Sequence, residues 1–125
     1  QNTLPFDFEP LVKGLSHLKK VDTVVVEIVF SLSIKSTLFN KFIDVLSKIK
    51  TLSAIKIDLR LQNLVKGSSI KKLFLKENID IVTVIIENMK LTKDDEKIIK
   101  ENMKKLKKIT SGYVECEDFK VDRRF

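Results

Sequence analysis

The chain holds one histidine, His17, and one cysteine, Cys116, so catalytic or metal chemistry would have to be built around them or around carboxylates. A nucleophile relay needs a base, a thiol or hydroxyl, and an orienting acid within hydrogen-bond reach. His17 instead stands between Leu15 and Leu18 in an amphipathic stretch, where it reads as a packing or surface residue. One His and one Cys could complete a zinc tetrad only with several carboxylates. The pair Asp94-Asp95 could ligate a metal, but it sits at the head of a helical pattern, and helix-start electrostatics account for it. Gly14, Gly67 and Gly112 are isolated, so no phosphate-cradling loop is written in the sequence. These residues point to a protein that is not an enzyme, with no catalytic residue, metal ligand or cofactor.

Charge offers a second kind of chemistry. The formal net charge is +7 with a pI near 9.5. Arg60, Arg123 and Arg124 are the only arginines among 24 basic residues. So lysine-rich a balance fits AT-rich coding better than the bidentate chemistry of a dedicated nucleic-acid binder. The densest run is Lys97, Lys100, Lys104, Lys105, Lys107 and Lys108, mostly opposite an apolar stripe of Ile98, Met103 and Leu106. It reads first as a solvated helix face and second as a basic ridge for RNA or anionic headgroups. No aromatic residues are interleaved to stack bases.

The elements that must position these residues come from a phrase repeated four times. Anchored on Val24, Ile55, Val82 and Gly112, the copies recur at intervals of 31, 27 and 30 residues. Such periods mark units that bury an apolar face only by stacking on a neighbour. Each phrase is strand-like and precedes a helical pattern. Phe39, Phe42, Ile43, Leu46 and Ile49 make one stripe, with Ser36 or Thr37 as the helix cap. Leu64, Ile70, Leu73 and Leu75 make a shorter one around Gly67-Ser68-Ser69. Leu91, Ile98, Ile99, Met103, Leu106 and Ile109 make the last, with Thr92 three residues ahead of Asp95 as a capping pair. A leading helix over 8–18 gives the order α-(βα)₃-β.

Strict alternation in the second strand puts Ile55, Ile57, Leu59 and Leu61 inward and Lys56, Asp58, Arg60 and Gln62 outward. A sheet covered on both faces would read as continuous apolar runs, so one helical layer and one open face are expected. The outward residues then form a partner-binding platform: Val25, Glu27 and Val29; Lys56, Asp58 and Arg60; Thr83, Ile85 and Glu87; Tyr113, Glu115 and Glu117. Simple solvent exposure is the plainer reading of the same residues.

The phrases Val21-x-x-Val24-x-Val26-x-Ile28, Leu52-x-x-Ile55-x-Ile57-x-Leu59 and Ile79-x-x-Val82-x-Val84-x-Ile86 resemble the strand segment of a leucine-rich repeat. The βα unit of about 27–31 residues is similar to the ribonuclease-inhibitor-like class of such repeats. Where that family carries a turn-capping asparagine this chain has Val29, Arg60 and Glu87, with Asn63 and Asn88 nearby. The resemblance implies a short α/β solenoid, parallel strands on one face and helices on the other.

The expected organisation is an N-terminal helix or cap over 1–20, leucine-rich-repeat-like units over 21–117 and a C-terminal tail over 118–125. Leu4, Phe6, Phe8, Leu11 and Leu15 would cap the first unit; Phe119, Val121 and Phe125 would cap the last weakly. The missing initiator Met makes Gln1 the expected start of a processed chain or fragment. One thiol suits a reducing intracellular setting, and no run has the roughly 18–20 apolar residues of a membrane helix. Taken together these features lead to a non-catalytic interaction or scaffold element, an accessory subunit of a larger assembly or a piece of a longer repeat protein. The alternative is an RNA- or ribonucleoprotein-associated module using the Lys97–Lys108 helix. A small doubly wound enzyme or nucleotide-binding domain is the third reading, and it requires helices on both sheet faces.

Overall fold

Each apolar phrase buries its side chains by pairing with the next, and the result is a ladder of strands in chain order. The computed structural model describes residues 8–18, 20–105 and 109–123. Its elements are α1 (Phe8–Leu15), β1 (Thr23–Leu32), α2 (Ser36–Ser47), β2 (Ala54–Lys66) and a 3-10 turn (Ser68–Ile70) running into α3 (Lys71–Leu75). Then follow β3 (Ile81–Lys90), α4 (Lys93–Met103), β4 (Ser111–Cys116) and β5 (Phe119–Arg123). The sheet has the order β1-β2-β3-β4-β5, parallel throughout except for β5, which is antiparallel to β4. Among the described strands the order never reverses, so no switch point of the kind at which doubly wound folds hold nucleotides lies between them.

The expected α/β class and the order α-(βα)₃-β are what the chain adopts, with β5 added. Residues 119–123, expected as tail, form that edge strand after a two-residue turn at Glu117 and Asp118. Asp118 has φ 57°, a left-handed conformation that aspartate tolerates better than most residues. Leu4, Phe6 and Phe125 lie outside the described residues.

Successive units are joined by the same backbone step. The Asp22 carbonyl accepts from Ser53 N (3.0 Å) and Ala54 N (3.0 Å). The Ser53 carbonyl accepts from Asp80 N (2.9 Å) and Ile81 N (3.1 Å), and that of Asp80 from Thr110 N (2.9 Å) and Ser111 N (3.4 Å). One geometry made three times is the structural counterpart of the sequence period. The anchors also align, with Val24 beside Ile55, Ile55 beside Val82 and Val82 beside Gly112. Gly112 breaks the aliphatic pattern because Met103 fills the space: a Cβ there would run into its Sδ.

The inward residues Ile55, Ile57, Leu59, Val82, Val84 and Val114 share one core with Phe39, Phe42, Ile43 and Leu46 of α2 and Ile99 of α4. The helices pack on one another in chain order, α1 on α2, α2 on α3 and α3 on α4. The middle unit departs from expectation. β2 runs on to Lys66 and carries Leu64, which is exposed; α3 is short and buries Leu73 and Phe74, while Leu75 faces out.

Polar clamps lock the helical layer. Thr92 caps α4 as its spacing predicted: its side chain accepts from Asp95 N (3.1 Å), and Asp95 Oδ2 accepts from Thr92 N (3.1 Å). The same carboxylate takes Lys71 Nζ at 2.9 Å and Ser68 Oγ at 2.9 Å, tying α4 to the preceding unit. Burial alone would raise Asp95, yet the hydrogen bonds from Lys71, Thr92 and Ser68 outweigh it and hold its carboxyl below the ordinary range. Ser36 does not cap α2; its hydroxyl accepts from Lys66 N in the next unit (3.1 Å). Buried Lys76 donates to Ile49 O (2.7 Å) just beyond α2, and its desolvation lowers its pKa.

Candidate interaction surface

The outward residues of neighbouring strands meet in columns because parallel pairing keeps equivalent positions side by side. Val25, Lys56, Thr83 and Tyr113 form one column, and Glu27, Asp58, Ile85 and Glu115 the next, both as the alternation predicted. β5 extends them with Asp122 opposite Tyr113 and Lys120 opposite Glu115.

The third expected column forms only at its centre, where Arg60 pairs with Glu87. Glu27 pairs with Asp58, but the next recorded pair is Ser31 with Arg60, so β1 bulges between them and Ser31, not Val29, lies beside Arg60. Val29 projects at 80% exposure. Glu117 sits in the β4–β5 turn, its N–H donating to Met89 O (3.0 Å). Tyr113 is on the outer side but only 5% exposed, so it is no open anchor. Its hydroxyl donates to Glu115 and Lys120 lies 5.7 Å from its ring; the Glu115 bond, with burial behind it, raises the phenol pKa.

The charge of this side opposes that of the whole chain. Glu27, Asp58, Glu87, Glu115 and Asp122, with Glu117 and Asp118 in the turn, outnumber Lys56, Arg60, Lys120 and the exposed pair Lys66 and Lys90 at the ends of β2 and β3. A depression of about 360 Å³ lies among Ile85, Ile86, Glu87, Asn88, Glu115, Cys116, Glu117 and Asp118. Cys116 at its wall is pushed up to about 12, by burial first and by Glu96, Glu117 and Asp118 next, so it is a poor nucleophile at neutral pH.

Lys97, Lys100, Lys104 and Lys105 are exposed on α4 and just beyond it. Lys100 lies 5.6 Å from the Phe119 ring, while Lys107 and Lys108 fall outside the described residues. His17 is exposed just after α1. Among the described residues no group of three or more His, Cys, Asp or Glu side chains is placed to share a metal ion. No helix among them is long and apolar enough to cross a membrane.

Three asparagines hold the strand ends: Asn63 and Asn88, noted in the sequence near the expected turn-capping positions, and Asn40, which sequence reasoning passed over. Asn63 exchanges bonds with Ile34, accepting from its N–H (3.0 Å) and donating to its carbonyl (2.8 Å). Asn88, at φ 64°, donates to Leu61 O (2.6 Å). Asn40 donates to Lys66 O (2.8 Å) and accepts from Ser69 N (3.1 Å). The available signal was an amide residue shortly after an apolar phrase or inside a helical stripe. Comparison of the chain with protein-family models, curated proteins and solved structures finds no match.

Proposed function

We propose that this chain is a short leucine-rich-repeat-like βα solenoid acting as a non-catalytic protein-interaction element, an accessory part of a larger assembly or of a longer repeat protein. The observation that carries the reading is the separation of charge: an acidic, partly aliphatic sheet face on a basic molecule. Such a face repels nucleic-acid phosphates and suits a protein surface bearing lysine or arginine around apolar contacts. Ile85 and Val25 supply the apolar part, and Glu27, Asp58, Glu87 and Glu115 the charge that orients it.

The test is affinity capture by the wild-type chain, by Asp58→Lys/Ile85→Glu and by Lys104→Gln/Lys105→Gln, each with and without nuclease. A defined protein set that survives nuclease and disappears with the sheet-face variant is the expected result. Capture that collapses with nuclease and with the lysine variant would replace this reading by an RNA-associated module on α4.

A further inference from the structure

We draw no further inference here: the strongest candidate, the cleft between the ends of α2 and α3 that buried Lys76 lines with Ser47, Lys50, Leu75 and Asn78, carries nothing, because the carbonyls of Ile49 and Ser47 already accept from the Lys76 ammonium and only its lowered pKa would speak for a ligand.

Discussion

Lys71–Asp95 and Lys56–Glu27 are both lysine–carboxylate pairs between neighbouring units, yet they stand in opposite surroundings. Lys71 Nζ lies 2.9 Å from Asp95, whose side chain is 2% exposed, and the carboxylate is also held by Ser68 and Thr92. Lys56 Nζ lies 3.5 Å from Glu27, and the two side chains are 45% and 50% exposed. The first pair belongs to the helical side, where apolar burial and satisfied polar clamps define the stack. The second belongs to the open sheet side, where charges stay hydrated and exchangeable. One molecule thus separates the residues that hold it together from those left open to solvent, and the separation is set by which way a strand residue points.

The most severe way to break this contrast is a cavity beneath the helices. Phe42 is fully buried between α2 and the sheet. Phe42→Ala should lower the free energy of unfolding in urea by about 3–5 kcal/mol, while Val29→Ala on the open side should stay within about 0.5 kcal/mol. Similar losses at both positions would show that the sheet side is covered in solution.

Next in size is the buried carboxylate. Asp95→Ala removes a cap and strands Lys71 and Ser68, at a cost of about 3 kcal/mol. Asp95 is shifted below its ordinary 3.8, so its contribution is whole above that value and is lost as pH falls through the folded value. Lys71 is shifted above 10.5, chiefly by its bond to Asp95, so its part is whole below 10.5 and is lost as pH rises through the folded value. The gap between wild type and Asp95→Ala should therefore be flat from roughly pH 5 to 9 and close on both sides. A gap that persisted unchanged well below pH 3.8 would mean the carboxylate charge is not what the clamp uses.

These contrasts were legible in the sequence only where the cause is local. Strict alternation from Ile55 to Leu61 announced both faces of β2, and Thr92 three residues ahead of Asp95 announced the cap of α4. What escaped depends on residues far apart in the chain. The misplaced third column follows from a bulge that appears only when β1 and β2 pair, since nothing within Glu27–Ser31 says how many residues face two of the neighbour. Tyr113 alternates outward as expected but is closed over by Lys120 of β5, a strand the tail concealed because its alternation is brief. Ser68 and Lys71 reach Asp95 only through the stacking of two units. Asn63 lay a few residues past the turn position expected of it, and β2's bulge before Val65 carries the strand on to where it meets Ile34.

The smallest effect should come from the exposed pair, and it sharpens the comparison most. Lys56 and Glu27 are each close to half exposed, so water screens their attraction and holding two flexible side chains together offsets much of what remains. Lys56→Ala should change stability by no more than about 0.5 kcal/mol. A stability loss in Lys56→Ala comparable to that in Asp95→Ala would mean the sheet side is not solvent-facing, and the division between packed and open surfaces would fall with it.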